Sequence, residues 1–233
     1  MNSFYAHSLE ATAATDWEPL EHHLRDVAEL ASRFAAAFNA SDWGDLLGWW
    51  HDVGKYSAEF QAYLKFENGF EAHLEQYVGR VDHSTAGAQH AVNMFSSEGR
   101  LMAYCIAGHH AGLADQLSGS GSSGLSDRLQ KKIPDFSKAP AGILAHRKLS
   151  NPDLSFQHGC EKRAAFQLSF YTRMLFSCLV DADFLATEAF MSPDRRTQRP
   201  TGMPTLAEMS ETLGQHLASL SASSETVVGK ARS

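Results

Sequence analysis

A chain of 233 residues is long enough to bury one full hydrophobic core, and 43% apolar with 20% charged residues is an ordinary globular composition. A net charge of −7 and a pI near 5.9 exclude a free-standing nucleic-acid binder that works by bulk electrostatics; such a substrate would need local positive charge from bound cations or a partner. No segment approaches the roughly 18 apolar residues of a membrane span, and the N-terminus lacks a basic-then-apolar signal, so a cytoplasmic protein without membrane contact is expected.

Helical periodicity dominates the chain. Residues 17–38 carry Leu20, Leu24, Val27, Leu30, Ala31, Phe34 and Phe38 at helical spacing, with Asp16 as the expected N-cap. A short helix from Asp42 to about His51 runs into Asp52-Val53-Gly54-Lys55, and Ser57 reads as the cap of a helix through Phe66. His83-Ser84-Thr85 opens a helix ending near Phe95, and an apolar helix over 99–109 is closed by Gly108 and Gly112. Residues 115–127 form a Gly/Ser loop expected to be mobile, and 133–158 are broken by Pro134, Pro140 and Pro152. The longest apolar helix covers about 162–191 and stops at Ser192-Pro193. A basic stretch, an amphipathic helix from about Pro204 to Leu220 and a Ser-rich, linker-like tail follow. The expected fold is all-α, with a domain over 1–192 and a C-terminal helix and tail over 193–233. Cys105, Cys160 and Cys178 form no CxxC pair and read as reduced thiols, Cys105 and Cys178 within apolar helices.

Twelve histidines are many for this length. His51-Asp52 puts an imidazole beside a carboxylate at a helix end, where Asp52 could bridge two metals and Lys55 could reach a bound phosphate. His23 shares a helix face with Val27, Leu30 and Phe34, so it points into the core, whereas His22 lines up with Asp26, Glu29 and Arg33 on the solvated face. His83 stands at a helix start built from small residues. Adjacent helical residues diverge by about 100°, so His109 and His110 can reach one metal only where the helix ends, which is where the glycines place them. Asp181 and Asp183 lie in an apolar helix where a carboxylate is costly unless paired or metal-bound, and periodicity does not choose between them. Each residue has a bland reading as well: a capping His51, a hydrogen-bonded core His23, a bystander His83. His73 and His90 read as surface residues or as supports behind the site.

The order His, His-Asp, His, His-His, Asp resembles the HD nuclease domain of Cas3, the effector nuclease of type I CRISPR systems. The resemblance is carried by Tyr5-Ala6-His7-Ser8, His23-Leu24, His51-Asp52-Val53-Gly54-Lys55, Asp82-His83-Ser84, Gly108-His109-His110-Ala111-Gly112 and Ala182-Asp183-Phe184-Leu185. It runs from about residue 3 to residue 190. It implies an HD-type helical bundle and a metal-dependent nuclease that hydrolyses single-stranded DNA by a two-metal mechanism. One ion would take His23, His51, Asp52 and Asp183, with Asp181 as the alternative to Asp183; the other would take Asp52, His83, His109 and His110. Asp52 and Lys55 are the expected catalytic residues. A mixed imidazole and carboxylate set suits manganese, iron, nickel or cobalt better than magnesium, and zinc could bind but inhibit. Expected partners are single-stranded DNA, a Cas3 helicase domain in cis or in trans, and the Cascade surveillance complex. The chain has no G-x-x-x-x-G-K-[ST] motif, so a helicase domain is expected to lie outside it. The rival readings are an HD phosphohydrolase acting on small or cyclic nucleotides and a catalytically inactive metal-binding interaction module.

Overall fold

The computed structural model describes residues 4–10, 12–67, 81–119, 124–145, 147–152, 161–199 and 202–222. The architecture is all-α, with one short two-stranded ribbon among the described residues: β1 (Tyr5–His7), β2 (Glu18–Pro19), α1 (Leu20–Ala35), α2 (Ser41–Trp50), α3 (Ala58–Glu67), α4 (Ser84–Phe95), α5 (Ser97–Gly108), α6 (Leu125–Gln130), α7 (Ala141–Leu144), α8 (Glu161–Met191), α9 (Pro193–Gln198) and α10 (Leu206–Ala222). Residues up to Pro193 form one compact unit and Asp194–Ser233 a second. No helix among the described residues is long and apolar enough to cross a membrane.

The first helix begins three residues later than its apolar pattern predicts. Pro19 disfavours helical backbone at the residue before it, so Glu18 is extended and pairs with β1. The antiparallel register sets Tyr5 opposite Pro19 and His7 opposite Glu18. Asp16 falls in a 3-10 turn (Ala14–Asp16) and does not cap; the amide of Leu20 donates instead to the Phe4 carbonyl at 2.9 Å. Ser57 does cap α3, its Oγ accepting the Phe60 amide at 3.2 Å.

Helices α1 and α2 pack backbone to backbone because small residues meet along both. A methyl group at Gly44 or Gly48 would strike the main chain of Ala31 or Ala28. That approach brings His23 on α1 towards His51 at the end of α2. On α8 the buried face is Leu175, Leu179, Ala182 and Ala186, packed against α1, α2 and α5. Elsewhere on the helix Phe166, Phe170, Met174 and Phe184 are exposed. Two buried tryptophans anchor the main core and donate indole N–H bonds to the segment that covers it: Trp43 to the Ser150 carbonyl at 3.0 Å and Trp50 to the Ile143 carbonyl of α7 at 2.8 Å.

Of the Gly/Ser stretch 115–127, residues 120–123 lie outside the described part. The remainder is more ordered than its composition predicts: Leu125 is buried and opens α6, and the amides of Leu125 and Ser126 donate to the carbonyls of Asp115 and Gln116. Within the proline-broken 133–152, α7 is the one helix among the described residues. His73, Cys160 and the tail beyond 222 also lie outside them. Cys105 and Cys178 are buried free thiols.

Candidate metal centre

Three stretches of backbone, His51-Asp52, His83 and His109-His110, each ending or starting a helix or turn, deliver side chains to one place, and the first turn of α1 and the last third of α8 complete the set. Asp52 follows α2 and precedes the 3-10 turn Val53–Tyr56; it is 1% exposed. Its Oδ2 lies 3.4 Å from His51 Nε2 and 3.8 Å from His23 Nε2, while its Oδ1 lies 3.4 Å from both His83 Nε2 and His109 Nε2. Asp183 Oδ1 comes from α8 to within 3.3 Å of His23 Nε2 and 3.8 Å of His51 Nε2. His110 is exposed, with its Nε2 3.1 Å from His83 Nε2. Asp181 is exposed and outside this cluster, so α8 presents Asp183 to the site. His22 is exposed and His90 packs edge-on against Trp50 at 4.6 Å, away from the cluster.

The hydrogen bonds fix which ring nitrogen faces inwards. Nδ1 of His51 meets the Gly48 carbonyl at 2.7 Å, Nδ1 of His109 the Ile106 carbonyl at 2.7 Å, and Nδ1 of His83 the Val81 carbonyl at 3.1 Å. A carbonyl only accepts, so each Nδ1 carries a proton and each Nε2 is the nitrogen turned towards Asp52. Both ring nitrogens of His23, the Nε2 atoms of His51 and His109 and the Oδ1 of Asp52 are buried with no hydrogen-bond partner. Acceptors gathered this closely repel one another unless a cation sits among them.

The electrostatics point the same way. Burial alone would raise the Asp52 pKa, but Lys55, then His51 and His83, hold it well below the usual carboxylate range. Lys55 is itself buried; its ammonium lies 2.7 Å from Asp52 Oδ2 and donates to the Ala6 carbonyl at 3.1 Å. It is therefore turned onto Asp52, not outwards as a phosphate clamp would be. Burial lowers His83 to about 4 against the pull of Asp52, and burial with the charge of His109 lowers His110 to about 4. Both are neutral near pH 7 and hold free lone pairs. Burial opposes protonation of His23, but the carboxylates of Asp183 and Glu18 outweigh it and raise that group to about 9. Asp183 is held well below the usual range: burial opposes ionisation, but His23 and His51 favour it.

Side-chain donors close enough to share one ion occur as Asp52, His83, His109 and His110; as His23, His51 and Asp52; as His51, His109 and Asp183; and, off Asp52, as His7, Glu18 and His23. Imidazole with carboxylate is a donor set for a borderline divalent transition metal, so the residues present fit such an ion.

Two supports had no role in the sequence reading, although Asp82 stood in one of its motifs. Asp82 caps α4 by accepting the Thr85 amide at 3.2 Å, and it pairs with Lys131 and Arg128. The Arg128 guanidinium donates to Ser84 Oγ, Thr85 Oγ1 and the Ala107 carbonyl, tying the start of α4 to the end of α5. Glu18 is 5% exposed and lies between His7 and His23. Neither acidic residue falls on an apolar helical stripe, so periodicity carried no sign of them.

No curated protein matches the chain. A solved structure described as "Crystal structure of CRISPR-associated protein" is similar at 18% identity with a TM-score of 0.42; the match covers 80% of this chain and 23% of that one. The family described as "Cas3, HD domain" matches residues 2–169, a stretch holding every residue of the cluster except Asp183, which lies beyond it on α8 and reaches the cluster through space. The chain belongs to the Cas3 HD-domain family.

Proposed function

We propose that the chain is a two-metal nuclease that hydrolyses phosphodiester bonds of single-stranded DNA in type I CRISPR interference. Family membership supports the coarser part, a metal-dependent hydrolase in a CRISPR setting. The observation that carries the two-metal reading is the division of Asp52: Oδ2 faces His23 and His51, and Oδ1 faces His83 and His109. A carboxylate with two imidazole nitrogens facing each of its oxygens is built to bridge two cations.

In this reading His23, His51 and Asp183 hold one ion with Asp52, and His83, His109 and His110 hold the other. Two divalent ions, when bound, lower the pKa of water and neutralise charge building on a phosphate, and they add the positive charge the acidic chain lacks. Asp52 holds the ions side by side, and Lys55 keeps it ionised. His110 is exposed and marks the side from which a phosphodiester enters. Manganese, iron, nickel and cobalt suit the donors. The strand is delivered by a helicase domain, in cis or in trans, and by a Cascade complex in the cytoplasm.

The test is cleavage of circular single-stranded DNA against a panel of small and cyclic nucleotides, with manganese or nickel. Cutting of the circle, lost in Asp52→Asn, is the expected result. Hydrolysis of nucleotides with intact circles would replace it with the phosphohydrolase reading, and metal binding without hydrolysis of either would favour an inactive binding module.

A further inference from the structure

The motif Tyr5-Ala6-His7-Ser8 contributes no residue to the proposed ligand sets, yet its strand lies directly behind them. We infer that the β1–β2 ribbon is the outer support of the metal centre and that Glu18 is the positioning residue that makes His23 a ligand. The inference rests on the metal-binding part of the proposed function.

The reason lies in where each histidine sits on its helix. His51 and His109 follow the C-terminal ends of α2 and α5, where the last carbonyls have no helical partner and can accept an Nδ1–H. His83 precedes α4 and uses the Val81 carbonyl. His23 is the fourth residue of α1, where backbone carbonyls are already spent on the helix ladder. It alone among these four has no backbone carbonyl of its own stretch as a partner for Nδ1. Glu18 is the carboxylate turned to it: Oε2 lies 3.5 Å from His23 Nδ1, an ion-pair distance, and 2.6 Å from His7 Nδ1.

The ribbon fixes that carboxylate. Cross-strand register sets His7 opposite Glu18, and the His7 ring stands edge-on to His23 at 4.8 Å. Glu18 is almost wholly buried, so its charge has to be met by partners, and His7 is the second of them. The same strand serves Lys55 through the Ala6 carbonyl. Gln61 stitches it to the His-Asp turn: its amide donates to the carbonyls of Tyr5 at 2.9 Å and Lys55 at 2.8 Å, and its Oε1 accepts the Tyr5 amide at 3.1 Å. A carboxylate behind a metal-bound imidazole fixes the tautomer and ring orientation and raises the basicity of the ligating nitrogen.

The test is cobalt(II) titration of the chelator-stripped full chain, read by visible absorption and by calorimetry, for the unaltered protein, Glu18→Ala and Glu18→Gln. Loss of an outer carboxylate weakens a metal site by about 10–100-fold. Glu18→Ala is expected to weaken one of the two ions by that factor and alter its absorption bands, leaving the affinity for the other ion in place. Glu18→Gln keeps an oxygen acceptor for Nδ1–H and should recover part of the affinity. Unchanged affinity and spectrum in Glu18→Ala overturn the inference. So does equal loss of both ions with a lowered metal-free melting temperature, which assigns Glu18 to general folding. DNA cleavage is not read here: a chain that binds both ions and depends on Glu18 but cuts no DNA defeats the nuclease reading alone, and a chain that binds no cobalt defeats both.

Discussion

Gly54→Ala separates two physical accounts of the glycine in His-Asp-x-Gly-Lys. Gly54 lies in the 3-10 turn with a negative φ, so its backbone asks for no conformation alanine lacks. On conformational grounds alanine should stabilise the fold by roughly 0.4–1 kcal/mol through the entropy of the unfolded chain. The packing predicts the opposite sign. A methyl at Gly54 would meet the main chain of His83, 2.7 Å from its Cα and closer still to its carbonyl oxygen. Backbone cannot rotate away as a side chain does, so the turn and the start of α4 must separate by roughly 1 Å, at an overpacking cost of about 1–3 kcal/mol. The strain falls between Asp52 and His83, whose facing atoms are 3.4 Å apart. Urea unfolding of the metal-free proteins should therefore show a lower midpoint with unchanged slope, and manganese affinity should fall by about 10–100-fold, as when a ligand's support is disturbed. A Gly54→Ala protein as stable as the parent, or more so, would refute the close-approach argument.

Other consequences follow from the same packing. Leu175→Ala, at a fully buried position on α8, should cost about 2–5 kcal/mol in urea unfolding; a loss under 1 kcal/mol would mean that α8 is not held on the core as described. His90 is lowered below its usual range, chiefly by burial. A base so depressed binds fewer protons folded than unfolded, so metal-free stability is full above the unfolded value of about 6.5 and declines as pH falls below it. His90→Gln should flatten part of that decline, the remainder belonging to His7, His83 and His110, which are also lowered; an identical pH profile would exclude His90. Burial pushes the Cys105 thiol up and Cys178 to about 11. In a Cys160→Ser chain neither should react with Ellman's reagent until denaturant is added, and fast labelling of the native protein would contradict their burial.

Much of the site was legible because helix geometry converts spacing into direction. His23 falls in register with Val27, and the two are buried together; His22, one residue away, is exposed. The glycines around His109-His110 marked a helix end, and Gly112 with φ of +88° is the turn that brings the pair to the cluster. What stayed hidden depends on contacts between distant segments. Strands of two and three residues are too short for alternation to declare them, so Pro19 interrupted what read as one continuous helix. The choice between Asp181 and Asp183 could not come from α8 itself, since apolar residues lie on its exposed and buried sides alike; the buried row Leu175, Leu179, Ala182 and Ala186 is what turns Asp183 inwards. Glu18 and His7 are eleven residues apart and look like ordinary charge until the ribbon pairs them.

Anomalous diffraction from a manganese-soaked crystal tests the central claim most directly. Two peaks sharing Asp52 are predicted, one bound also by His23, His51 and Asp183 and the other by His83, His109 and His110. A single ion that leaves His83 and His110 unbound, or manganese found only away from Asp52, would contradict it.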